Sequence, residues 1–281
     1  MSFRVIKGSF HIVGYSPDGD SVRFKADDLA QWNLLEGSKV RLNKHDHAQL
    51  RIEAIDTLET HYKSEHQPAE WADSATQYLL KLLGIKNTQW NDSRSRVVSA
   101  DDGVPGYIIT RMAERYGRPV AFVFAGETEY EDGQAIFLDN RIAKTSINFK
   151  MLAKGFAYPT FYDGLFYDLR ARFAKVAIKA RAAKKGVWSE DKTNSSIKIE
   201  SLSDLTDEYV ILPKLFRRLV TYMKAHDSFD AHAFIESLKE KQEKVLVLSD
   251  LHFTHFDNLI EIDEKGRIKL AQAPENLVFL S

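Results

Sequence analysis

The chain has 281 residues, 44% of them hydrophobic and 28% charged, which is enough for one large domain or two small ones with a real core. It contains no cysteine, so disulfides, thiolate metal sites and a cysteine nucleophile are excluded. The net charge of −1 gives no bulk attraction to nucleic acid, but residues 191–281 carry 16 acidic against 12 basic side chains and residues 1–190 carry 24 against 27. The modest positive bias of the first part suits local phosphate binding.

In chain order, "MSFRVIKGSFHIVGYS" lacks the long apolar run of a signal peptide, so the expected location is the cytoplasm. No stretch approaches the ~20 apolar residues needed to span a bilayer. "FHIVGY" and "SVRFKA" flank Pro17-Asp18-Gly19, and their period-two alternation predicts a hairpin. "SKVRLNKH" and "AQLRIEAID" predict two further strands, so the first ~56 residues are expected to form an antiparallel meander. In "HQPAEWADSATQYLLKLLG", Trp71, Ala75, Tyr78, Leu79, Leu82 and Leu83 recur at helical spacing between Pro68 and Gly84.

Strands are next expected at "RSRVVSA", "GYIITRM" and "RPVAFVFAG", and a short helix at "INFKMLAKGFA", ending at Gly155. A longer helix over roughly Asp163 to Lys185 carries the apolar stripe Leu165, Leu169, Phe173, Val176, Ala177 and Ala180. A five-stranded barrel with helices between and after its strands is an α+β, OB-like architecture, which presents a face to polyanions. The polar "SEDKTNSSIK" reads as a linker. Two helices and three or four strands after it predict a small C-terminal α+β region, which divides the chain at residues 1–191 and 192–281.

Asp18-Gly19-Asp20 taken alone is a turn signal. Arg51, Asp56 and Glu59 in "RIEAIDTLET", with Arg118 in "ERYGRPVAF", give it partners. Together they suit phosphodiester hydrolysis. A hard divalent cation held by Asp20 and Asp56 offsets the phosphate charge. Arg51 and Arg118 grip the non-bridging oxygens. Glu59 positions or deprotonates the attacking water. His252, His255 and Asp257 in "SDLHFTHFD" have no recognised ligand spacing and read as surface or structural residues. The basic run from Arg170 to Lys185 reads first as a solvated helix face.

The pieces "DGDSV", "R-x4-DTxET", "PAEWADSA", "YGRPVAFVF", "NFKMLAKGFA" and "KKGVWSED", in that order over about residues 5–191, resemble staphylococcal-type nucleases (thermonucleases). The resemblance implies a staphylococcal nuclease-like OB-fold and Ca2+-dependent, in-line attack of water on DNA or RNA that leaves a 3′-phosphate. It implies metal ligation by Asp20, Asp56 and the Thr57 carbonyl, phosphate binding by Arg51 and Arg118, and water activation by Glu59. Arg115 and Tyr116 fall where the family contacts a terminal nucleotide phosphate, and Phe161 or Tyr162 where it has an aromatic contact. Asp18 matches a residue near the metal. Single-stranded or unpaired DNA or RNA is the implied partner. The alternative is a catalytically inactive module that binds nucleic acid or protein. Leu58 departs from the family by replacing the proline common after Asp-Thr, and the region after residue 191 has no counterpart in the core family.

Overall fold

The protein is described by a computed structural model over residues 2–280. Two compact units divide it. One comprises residues 1–53 and 76–151, the other residues 54–75 and 152–281.

The first unit is built on one curled sheet of eight strand segments. Strand Phe3–His11 pairs antiparallel with Arg23–Ala26 on one side and with Val104–Ala113 on the other. Val104–Ala113 pairs in turn with Pro119–Ala125, which carries the short strand Arg51–Ile52 in parallel. The outermost segments on this path, Ala48–Gln49 and Arg51–Ile52, are separated in the chain only by Leu50. The sheet therefore bends back toward its own start and forms the nearly closed barrel of an OB-fold. The alternating apolar residues of the strands fill it: Val5, Phe10, Phe24, Leu50, Ile108 and Phe122 are buried.

The expected hairpin is present as the pairing of His11 with Arg23. Its connection contains a tight turn in which Asp18 bridges Ser21 and accepts a bond from the Ser21 hydroxyl at 2.5 Å. The strand expected over "SKVRLNKH" is only an isolated bridge, Leu42 to Ala48. The Asn43 side-chain amide captures the backbone N–H groups of His45 (2.8 Å) and His47 (3.1 Å), and this local competition turns the chain instead of extending it.

The predicted helix runs from Ala69 to Leu83, just after Pro68. Gly84, at φ +83°, ends it. Residues 147–154 and 167–182 form the other two predicted helices.

In the second unit, strand Ile55–Asp56 pairs with Tyr158–Pro159. Phe161–Tyr162, Leu277–Phe279, Lys244–Val247 and His252–His255 form a four-stranded sheet in that order. Helices Pro213–Met223 and Ala231–Lys239 complete the unit, with a hairpin of Ile260–Ile262 and Ile268–Leu270. One core joins Leu58, Ala72, Tyr158, Val187 and Trp188 to Val210, Leu215, Phe216, Leu219, Phe234, Val245 and Phe279.

The "SEDKTNSSIK" segment is packed, contrary to its reading as a linker. Thr193 is buried, the Lys192 amide donates to the Val210 carbonyl at 2.8 Å, and Ile197 and Ile268 exchange two backbone hydrogen bonds. Polar composition hid this, because the polar side chains satisfy buried backbone groups.

Candidate active site

Asp20, Arg51, Arg115, Tyr116 and Arg118 belong to the first unit; Asp56, Thr57 and Glu59 belong to the second. In the first unit, Arg51 lies on its short strand opposite Val120. The Ile52 amide donates to the Asp20 carbonyl at 3.1 Å, which ties the acidic turn to that strand. Buried Asn148, from "NFKMLAKGFA", holds the other side. It accepts from the Val123 amide (2.9 Å) and donates to the carbonyls of Glu53 (2.9 Å) and Ala121 (3.0 Å).

The turn Glu114–Arg118 closes on Gly117, whose φ of +77° suits glycine. A single carboxylate organises it. Glu114 Oε1 accepts from the backbone N–H groups of Tyr116 (3.1 Å) and Arg118 (3.3 Å) and from Arg118 Nε (3.1 Å). Tyr116 is 60% exposed, with the Arg115 guanidinium 4.8 Å and that of Arg118 5.9 Å from its ring centroid. Two cations against one exposed ring make a positively charged, exposed platform.

In the second unit, Asp56 and Thr57 are buried at the end of strand Ile55–Asp56. The Arg217 side chain meets both carboxylates there. Its Nη1 and Nη2 donate to Asp56 Oδ1 (3.0 Å) and Oδ2 (2.7 Å), and Nη1 also donates to Glu59 Oε1. Burial works against the charged guanidinium, but Asp56 and then Glu59 override it and hold its pKa well above the ordinary arginine value.

Arg217 is held in place from several directions. Thr221 and Lys224 follow it on the same stripe of helix Pro213–Met223 and reach Tyr62 (3.1 Å) and Glu65 (2.5 Å). Buried Gln67 accepts from the Glu59 amide (3.2 Å) and donates to the Ile211 carbonyl (2.8 Å), just ahead of the helix. A third chain runs through Asp191 of "WSED", which accepts from the Tyr158 hydroxyl (2.7 Å) and from Thr193. Thr193 Oγ1 accepts from the Leu212 amide at 2.9 Å, at the start of the helix. Burial raises the pKa of Asp191 and raises that of Tyr158 well above its usual value, so the tyrosine keeps its proton.

The donor set Asp20, Asp56 and Thr57 is all oxygen and chemically suits calcium. In the second unit, part of that set already meets a cation of the chain's own. Both Asp56 oxygens and one of Glu59 are engaged by Arg217. Among the described residues no three His, Asp or Glu side chains gather closely enough to hold a metal ion.

Arg217 was missed in the sequence, where "PKLFRRLVTYMKAH" reads only as one of the two helices of the C-terminal region. The signal was the spacing Arg217, Thr221, Lys224, a polar stripe on a helix whose other faces are buried. Phe161 and Tyr162 are also placed differently from expectation. Phe161 is buried in the second unit's sheet, and the Tyr162 hydroxyl accepts from Lys214 at 3.1 Å.

A second polar set in the first unit was likewise not singled out. Ser9 Oγ lies 2.9 Å from His11 Nε2, and His11 Nδ1 lies 3.1 Å from Asp102. His47 stacks on His11 with ring centroids 4.1 Å apart and meets the Tyr15 hydroxyl at 3.1 Å.

A family model described as "Staphylococcal nuclease homologue" matches residues 49–190. No curated protein matches the chain. The matched span is half of the chain and carries Arg51, Asp56, Glu59, Arg118 and Asn148, and the barrel around it is an OB-fold; the chain therefore belongs to the staphylococcal nuclease homologue family.

Proposed function

We propose that the chain is a nuclease acting on single-stranded or unpaired DNA or RNA, and that its working form uses Ca2+. The observation that carries this reading is the exposed Arg115–Tyr116–Arg118 platform within the matched span, fixed by Glu114. Arg51 and Arg118 bind the phosphodiester, and guanidiniums on its non-bridging oxygens favour the more highly charged transition state over the ground state. Arg115 and Tyr116 bind the neighbouring nucleotide. Glu59 takes the proton of the attacking water once it is released from Arg217. The products carry 3′-phosphate ends. Contacts to phosphate and to a base face read no sequence, so cleavage is expected to be largely indifferent to base identity.

The test is incubation of heat-denatured DNA, and separately RNA, with calcium or with chelator, followed by end-group analysis. Calcium-dependent fragments with 3′-phosphate ends are expected, with Arg51→Ala and Arg118→Ala each slower by ~10²–10³. The second reading, a binding module without catalysis, is favoured by the Arg217 bridge itself. Tight binding of single-stranded oligonucleotide with no cleavage under any calcium concentration establishes that reading instead.

A further inference from the structure

The Asp56–Glu59 pair is where the proposed chemistry needs a cation, and a cation belonging to the chain is already there. The Arg217 guanidinium forks across Asp56 and reaches Glu59, so each carboxylate faces a positive charge. Arg217 comes from helix Pro213–Met223, which lies beyond the matched family span. It is the first of three successive contacts made by one stripe of that helix with residues 56–65, the others being Thr221 with Tyr62 and Lys224 with Glu65.

Leu58 gives an independent sign that this segment is shaped for the helix. The residue that departs from the family pattern is buried in one core with Val210, Leu215 and Leu219. A proline there would contribute neither the same bulk nor a backbone N–H.

We propose that Arg217 is a built-in competitor for the cation, so that the guanidinium and a divalent cation hold Asp56 and Glu59 alternately and the C-terminal region sets the chain's calcium affinity. This rests on the nuclease reading only for its consequence, which is that the bridged form is the resting form. The physical basis is mutual exclusion. A guanidinium fork uses both oxygens of one carboxylate, whereas calcium draws six to eight oxygens around itself at about 2.3–2.6 Å. The two cannot share Asp56. Calcium entry therefore requires the Arg217 side chain to withdraw, and the observed affinity falls by the fraction of time it stays in place.

The test compares the full-length protein with Arg217→Gln by calorimetric calcium titration and by thermal unfolding with calcium or chelator. Arg217→Gln leaves two acids side by side. It is expected to melt below the unaltered protein in chelator, to recover with calcium, and to bind calcium on the order of 100-fold more tightly. Arg217→Lys keeps the charge without the fork, and its calcium affinity is expected to fall between the two. It also serves as the comparison if Arg217→Gln does not fold. Equal calcium affinity in the unaltered protein and in whichever of these variants folds overturns the proposal. So does a variant with no calcium-dependent recovery.

Cleavage measured on the same samples separates the two readings. An Arg217→Gln protein that binds calcium tightly but cuts nothing removes the nuclease reading and leaves the competition standing. An unaltered protein that cuts readily, with calcium affinity no weaker than the variant's, does the reverse.

Discussion

At the scale of single residues, charge and conformation at a few positions decide the outcome. His47 is the clearest titrating case. Burial, then the neighbouring His11, His45 and Lys25, lower its pKa from 6.5 to about 4, and only Asp102 opposes them. The folded His47 thus stays neutral where the unfolded chain has already taken up a proton. Its contribution to stability is complete above about pH 6.5 and is lost as the pH falls from there toward about 4. Urea midpoints measured at pH values across that window should drop on acidification, and His47→Gln should flatten the slope. An unchanged slope would assign the acid sensitivity to other groups. Gly117 is the conformational case. A Cβ there would lie 2.7 Å from the Lys39 carbonyl oxygen and 3.0 Å from Arg41, on a backbone at φ +77°. The left-handed strain alone costs about 1–2 kcal/mol. Gly117→Ala should therefore lower the melting temperature and weaken oligonucleotide binding by more than a distant variant of equal stability does, because the same turn aims Arg118.

At the scale of elements, period-two runs and capped helical stripes carried most of the fold. The strands around Ile108 and Phe122 lie where apolar runs predicted them, though residues 108–110 and 121–124 are buried at consecutive positions; strand Phe3–His11 begins well before the predicted "FHIVGY"; and Pro68 and Gly84 bracket their helix as the sequence implied. The elements that could not be read depended on their pairing and packing partners rather than on a rhythm of their own. Strand His252–His255 exists by pairing with Lys244–Val247, and half its residues are exposed, so no apolar rhythm marked it. "SEDKTNSSIK" looked like solvent-loving chain because Asp191 and Thr193 spend their polarity inside, on Tyr158 and Leu212. The site was legible in its residue types, since Arg51, Asp56, Glu59 and Arg118 lie in short dense motifs. It was not legible in its pairing, because the charge that meets Asp56 lies 161 positions along the chain. Helix Pro213–Met223 shows how such an element acts. Lys214 and Arg218 on one stripe both reach Glu243, at 2.7 and 2.8 Å, which fixes the rotation at which Arg217 on another stripe meets Asp56. Glu243→Gln should loosen that rotation and shift calcium affinity in the same direction as Arg217→Gln, by less. A shift in the opposite direction would mean that Glu243 does not set the rotation.

At the scale of the whole molecule, the division by compactness does not fall at residue 191. Residues 54–75 and 152–191 share a unit and a core with everything that follows. Removal of residues 192–281 would strip Leu58, Tyr158, Val187 and Trp188 of most of their buried neighbours, and each such side chain left in water forfeits about 1.5–3 kcal/mol. The truncated chain is thus expected to lose its cooperative thermal transition over this unit, read by circular dichroism and by protease resistance around residues 54–75. A truncated protein that melts cooperatively and resists protease would show that the nuclease-like portion stands alone. The Arg217 bridge also changes what a calcium titration of this protein means. Because the rival ligand is tethered, its local concentration cannot be diluted, and its occupancy follows the integrity of one helix. Leu215, Phe216 and Leu219 hold residues 213–223 in the core of the unit, so the bridge should persist until that core melts, and calcium affinity measured against denaturant should stay level up to the unfolding transition.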